Sequence, residues 1–161
     1  MEENVFWFVV IGLGATLIMD VWALILRLIW KVPSMNYGLV GRWVGHLRFG
    51  VVSHEQIGAS PMIPYEKLRG WVVHYFTGAV FSVLFGFIVG TNWLADPQII
   101  PAVVFGVITL IFPFFILQPA FGAGLAASKT PNPTIARLKS LNAHMSFGLG
   151  LYLIALVLSF L

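Results

Sequence analysis

The chain has 161 residues, of which 59% are hydrophobic and 9% are charged. A water-soluble domain usually carries about 25% charged residues, so composition alone excludes an ordinary soluble protein. Cysteine is absent, which excludes disulfides, thiolate catalysis and Cys-ligated metals. The net charge of +3 is explained below by where the charges lie.

Four apolar runs are each long enough to cross a membrane, since a span needs roughly 20 mostly apolar residues to cross about 30 Å of hydrocarbon. In chain order, the predicted spans are residues 5–30, 71–90, 99–118 and 141–161. Little chain remains between them. The sequence therefore predicts an all-α, polytopic membrane protein, in which residues 1–161 form a single transmembrane domain with four helices in a bundle.

The nine Lys and Arg residues predict how the chain is oriented. They lie at the end of the first span, in the first loop (residues 31–70) and in the third loop (residues 119–140). Because basic residues near spans stay cytoplasmic, these two loops are predicted to be cytoplasmic and both termini to lie outside. The positive charge thus reflects topology. It predicts membrane lipids as partners and gives no reason to expect a nucleic acid.

The first loop is too long to be a bare connector. Leu39, Trp43 and Leu47 recur at helical spacing, and Arg42 and His46 fall on a different face of the same helix. This pattern predicts a short interfacial helix that lies in the headgroup region.

The third loop is rich in Gly, Pro and small polar residues, the kind of irregular segment that often carries function. Its backbone N–H groups could bind an anion together with Lys129. Arg42 and Arg137 are the other residues predicted for this anion or lipid-headgroup site. A lipid phosphate and a substrate are both open as the ligand.

Small residues recur four apart in two of the spans. Gly78 and Gly86 lie on one face of the second span, and Gly148 lies on a similar stripe in the fourth. Small residues let membrane helices approach closely, so these three glycines are predicted to pack helices together.

Asp20 lies near the middle of the first predicted span. A charge there costs about 2.5–3.5 kcal/mol on insertion scales and usually marks function. The structural alternative is a protonated, neutral Asp20 that hydrogen-bonds to a neighbouring helix.

The four histidines are all predicted on the cytoplasmic side. Histidine with a carboxylate is the common ligand set for zinc and non-haem iron. We therefore expect a polar pocket, open to the cytoplasm, that binds a divalent metal (Zn or Fe) or a small polar ligand, with or without enzymatic turnover. The predicted pocket residues are Asp20, His74 and His144 in the walls, Gln118 at the rim, and His46 and His54 in the lid.

Several alternatives stay open at this point. Each histidine could be a plain interfacial residue, and a haem held between His74 and His144 is a less favoured cofactor. The chain could instead be an oligomeric transporter or channel subunit that uses Asp20 as a proton or cation site. It could also be a structural or accessory membrane protein.

Four sequence runs resemble an uncharacterised family of bacterial four-span inner-membrane proteins, known as a domain of unknown function. The runs are Gly41-Arg42-Trp43-x-x-His46, Gly70-Trp71-x-x-His74-Tyr75, Pro113-Phe114-Phe115-x-x-Gln118-Pro119-Ala120 and Ala126-Ala127-Ser128-Lys129-Thr130-Pro131. The resemblance covers nearly the whole chain. It implies a location in the bacterial inner membrane and adds no mechanism.

Overall fold

A computed structural model describes the backbone of residues 2–160 and the side chains of residues 4–160. Within that range the protein is all-α, without a strand, as predicted. The longer helices are α1 (Glu2–Trp30), α2 (Tyr37–Leu47), α3 (Glu66–Val89), α4 (Ile99–Ala120) and α5 (Pro133–Leu158). Helix α4 is regular over Ile99–Ile108 and contains a π-helical turn at Pro113–Leu117.

Helices α1, α3, α4 and α5 are long and apolar enough to cross a membrane, with mean hydropathies of 2.3, 2.0, 2.6 and 1.7. The prediction of a membrane protein with four spanning helices is therefore confirmed. Two helices begin earlier than their apolar runs: α3 begins at Glu66 and α5 at Pro133. Hydropathy detects only apolar turns, and the first turns of both helices are polar.

Helix α2 is the short helix predicted in the first loop. The side chain of Asn36 caps it by accepting a hydrogen bond of 3.0 Å from the Gly38 N–H. Its polar residues Arg42 and His46 are buried, whereas Leu47 is exposed. The polar face of α2 therefore packs into the protein and the apolar face turns outward.

The chain forms two compact units. The first comprises the chain up to Ser34, Tyr75–Thr109 and the chain from Asn142 onward. Its core contains residues from all four long helices, including Ile11, Phe85, Phe105 and Leu151. Trp93, between α3 and α4, is 6% exposed and packs on Phe85 with ring centroids 4.8 Å apart.

Small residues mark the places where helices of the first unit approach each other. Gly78 lies against the hydroxyl of Thr16, and Gly86 lies against the ring of Phe8. A Cβ at Gly148 would lie 2.7 Å from the carbonyl oxygen of Ala102. Because dispersion between close surfaces holds membrane helices together, the absence of a side chain at these glycines permits the contacts.

The second unit comprises Met35–His74 and Leu110–Leu141. Here α2 packs on the first turns of α3 through two glycines. A Cβ at Gly41 would collide with the carbonyl of Glu66, and one at Gly70 would collide with the carbonyl of Tyr37. No side chain fits at either position, so the two backbones are in direct contact.

We predict that Gly148→Ala destabilises the protein, because the added methyl group meets backbone that cannot move aside. Overpacking of this kind costs about 1–3 kcal/mol. Thermal unfolding in detergent, followed by circular dichroism, would measure the loss. The control is Gly58→Ala, where an added Cβ meets nothing within 4 Å. Equal unfolding midpoints for the two variants would contradict the packing role.

Candidate functional site

The guanidinium of Arg42 is the best-connected polar group in the second unit. Its side chain is buried, with a relative exposure of 7%. Nε donates to Oε2 of Glu66 at 2.8 Å, and Nη2 donates to Oε1 at 2.9 Å. This bidentate pairing uses the planar fork that distinguishes arginine from lysine. The hydrogen bond to Glu66 raises the pKa of Arg42, an effect that desolvation opposes.

The remaining nitrogen of Arg42, Nη1, forms hydrogen bonds with the backbone in the middle of the first loop. Nη1 donates to the carbonyls of Ile57, Gly58 and Ser60 at 3.1, 3.2 and 2.9 Å. Those carbonyls belong to the short 3₁₀ turn Ile57–Ala59 and the residue after it. One side chain thus joins α2, this turn and the start of α3. The anion that Arg42 binds in the structure is a carboxylate of its own chain.

His46 lies one helical turn beyond Arg42 on the same face of α2. Its Nδ1 is 2.8 Å from Nε2 of His54, which is a hydrogen bond whose direction depends on the tautomers. His46 is 9% exposed and His54 is half-buried. The structure therefore brings together two of the predicted pocket residues, eight positions apart in the chain.

The third loop holds His54 in place. The backbone N–H of His54 donates to the carbonyl of Ala120 at 2.9 Å, and Nδ1 of its ring lies 3.4 Å from the same oxygen. The N–H of Ile57 donates to Phe121 at 3.1 Å. Gly122 adopts a φ of +85° against the carbonyls of residues 54 and 55, which a side chain would obstruct. The first and third loops are thus joined through their backbones.

An open cavity of about 400 Å³ lies beside the histidine pair. Apart from the two imidazoles and one hydroxyl its lining is apolar: the residues are His46, Phe49, Val51, His54, Ser60, Pro61 and Ile63. The cavity lies wholly within the second unit. It offers space for a small ligand next to nitrogen atoms that can accept a hydrogen bond or coordinate a metal.

Asp20 and His144 each have a hydroxyl partner within the first unit. Asp20 hydrogen-bonds with the side chain of Tyr75 on α3. Nδ1 of His144 is 2.6 Å from Oγ1 of Thr109, which in turn bonds the carbonyl of Gly106 at 2.5 Å. Both polar groups therefore link neighbouring spanning helices.

The other predicted residues lie in the second unit. His74 stacks on Tyr37, with ring centroids 4.1 Å apart. Gln118 donates from Nε2 to the hydroxyl of Ser140 at 3.2 Å. In the third loop, Arg137 donates from Nε to the carbonyl of Ala126 at 2.8 Å, and the backbone N–H of Lys129 donates to Ala123 at 2.8 Å.

Within the described part of the chain, no group of three or more His, Asp and Glu side chains is arranged to hold a metal ion. The pocket predicted from Asp20, His74 and His144 stays a prediction. Sequence reasoning missed the role of Glu66, which lies 24 residues from Arg42 and shares no local spacing with it. It also missed the carbonyl of Ala120, because a backbone acceptor carries no sequence signal.

We predict that Glu66→Gln strongly destabilises the second unit, because it leaves a buried guanidinium without its counter-charge. Removing one partner of a buried ion pair costs about 3–5 kcal/mol. Chemical unfolding monitored by tryptophan fluorescence would measure the loss. The matched control is Glu55→Gln, the same change at an exposed position between α2 and α3. If the two variants unfold alike, Arg42 does not organise the loop.

A family model described as "Protein of unknown function (DUF2938)" matches residues 9–158. No curated protein matches the chain, and no solved structure does. The family match agrees with the resemblance of the four sequence runs to an uncharacterised family. Because it covers nearly the whole chain, the protein belongs to the DUF2938 family of proteins of unknown function.

Proposed function

We propose that this protein is an inner-membrane protein of bacteria that binds a divalent metal ion between His46 and His54, on the cytoplasmic side. The observation that carries the proposal is the 2.8 Å separation of Nδ1 of His46 and Nε2 of His54 beside an open cavity. Imidazole nitrogens are common ligands for zinc and iron.

The geometry of the pair is close to what a metal requires. Two nitrogens each about 2.0–2.1 Å from a tetrahedral zinc ion are separated by about 3.3 Å. The two nitrogens would therefore move apart by about half an ångström, and the rings would turn so that both lone pairs converge on the metal that replaces the shared proton. Because the backbone of His54 is bonded to Ala120, this adjustment would take place in the side chains of the two histidines.

The second nitrogen of His54 supports the same assignment. Its Nδ1 lies 3.4 Å from the carbonyl oxygen of Ala120. Metal-bound histidines usually donate their other ring N–H to a carbonyl or carboxylate, which fixes the tautomer and orients the ring. The backbone hydrogen bond between His54 and Ala120 keeps this carbonyl oxygen next to the imidazole ring.

Two protein ligands leave coordination positions open. Water or a small polar ligand in the cavity would complete the coordination shell, and the cavity has room for both. Catalytic zinc sites combine three protein ligands with one open position, whereas this pair supplies two protein ligands. The pair is therefore suited to binding a metal together with water or a small ligand from the cavity, which would supply the remaining coordination.

The cytoplasmic orientation is supported by the charges. All nine Lys and Arg residues lie in the first and third loops or in the spans close to these loops, and the second loop carries only Asp96. Basic residues beside spans are retained in the cytoplasm. The histidine pair, which joins the first loop to the end of α4, then faces the cytoplasm.

We predict that the purified protein binds one zinc or cobalt ion per chain. His46→Ala and His54→Ala should each weaken binding at least about tenfold, because each removes a direct ligand. Isothermal titration with zinc and the visible spectrum of bound cobalt would measure this. The control is His74→Ala, which removes a histidine that stacks on Tyr37. Unchanged binding in the His46 and His54 variants, or no stoichiometric metal in the parent, contradicts the proposal.

The orientation can be tested because the chain has no native cysteine. We predict that a membrane-impermeant maleimide labels Asn92→Cys, in the second loop, on intact cells. Gln56→Cys, in the first loop, should react only after the cells are permeabilised. Both positions are exposed, so their reactivity reports the side of the membrane. The reverse pattern would place the histidine pair outside.

A further inference from the structure

The outward face of α2 and the turn that follows it are apolar. Leu47, Phe49, Val51 and Val52 are exposed by 37, 66, 42 and 64%. The charged and polar residues Arg42 and His46 of the same helix are buried. A helix facing water has the opposite arrangement, with polar residues outside. We call residues 47–52 the apolar turn.

The apolar turn is held in a fixed conformation. Gly50 adopts a φ of +75°, a left-handed conformation that glycine accepts at no steric cost. The indole N–H of Trp43 donates to the carbonyl of Val52 at 2.9 Å, which ties the end of the turn back to α2. The exposed side chains are therefore presented by the fold and do not result from a loose segment.

The location of α2 places this face near a membrane surface. Gly41 and Gly70 bring α2 into backbone contact with the first turns of α3, and α3 is a membrane-spanning helix. Exposed aromatic and aliphatic side chains at the entry of a span are characteristic of segments that lie in the interface. Clustered apolar exposure of this kind marks a contact with another apolar phase.

The charges around the turn favour an anionic membrane as that phase. The guanidinium of Arg48 lies 4.5 Å from the centroid of the Phe49 ring, which places a cation directly beside the exposed apolar surface. Residues 35–54 contain no Asp or Glu. An anionic lipid at the apolar turn would meet the exposed Arg48, and the nearest carboxylate in sequence is the exposed Glu55, three residues beyond Val52.

From these observations we propose that the apolar turn inserts into the boundary between headgroups and acyl chains of an anionic leaflet. Phe49 is the deepest residue and Arg48 binds lipid phosphate. The insertion does not require metal at the histidine pair, although Phe49 and Val51 also line the cavity beside that pair. A second copy of the chain seated on the same face is the competing occupant, and the experiment below distinguishes the two.

The test uses Phe49→Cys carrying a nitroxide spin label, in nanodiscs of phosphatidylcholine with and without phosphatidylglycerol. We expect the label to be several times more accessible to oxygen than to a water-soluble nickel complex, and more so with phosphatidylglycerol. Gln56→Cys is the matched exposed control and should stay accessible to nickel. Adding Arg48→Gln to the Phe49→Cys variant should remove the dependence on phosphatidylglycerol.

Two results would overturn the proposal. One is a Phe49 label that is accessible to nickel in both lipid mixtures, which would place the turn in water. The other is a short distance between labels on two chains, measured by double electron–electron resonance, which would show that a second copy covers the face. Because Phe49 is 66% exposed, its replacement should leave the thermal unfolding midpoint unchanged, so a negative result cannot be attributed to misfolding.

Discussion

The arrangement of the second unit depends on one buried guanidinium. Arg42 directs its donors to the Glu66 carboxylate and to three backbone carbonyls, two in the turn Ile57–Ala59 and one in the residue after it. Five hydrogen bonds from one planar group fix the relative positions of α2, that turn and the start of α3. The histidine pair follows from this, because His46 is one turn from Arg42 and His54 is three residues before the turn. A lysine at position 42 would keep the positive charge, but it could not form the bidentate pair with Glu66.

The two units are stabilised by different physics. In the first unit, helices meet at glycines such as Gly78 and Gly148, and dispersion between closely packed surfaces is the main attraction available in lipid. In the second unit, irregular backbone must satisfy its hydrogen-bonding groups, and Arg42 and the bonds at Ala120 provide partners. The two histidines of the proposed metal site meet in the second unit, where the loop that carries His54 packs beside the end of α2.

The sequence was informative wherever a pattern is local. Hydropathy identified four spans, and the spacing of Leu39, Trp43 and Leu47 identified α2, since helical periodicity is visible in a few residues. It was uninformative about contacts between distant segments. Nothing in the chain links Arg42 to Glu66, or His54 to Ala120, and a histidine count cannot say which rings meet. The helix starts at Glu66 and Pro133 escaped detection because polar turns can extend a membrane helix beyond the apolar region.

The separation of Arg42 and Glu66 by 24 residues has a consequence for biosynthesis. A chain made from its N-terminus contains Arg42 before Glu66 exists. During that interval the guanidinium is an uncompensated positive charge close to the first span, and such charges decide which way a span is inserted. Only when α3 has been made does the carboxylate neutralise it. The same side chain can therefore act first as an orientation signal and later as the group that joins α2 to the start of α3 and the turn before it.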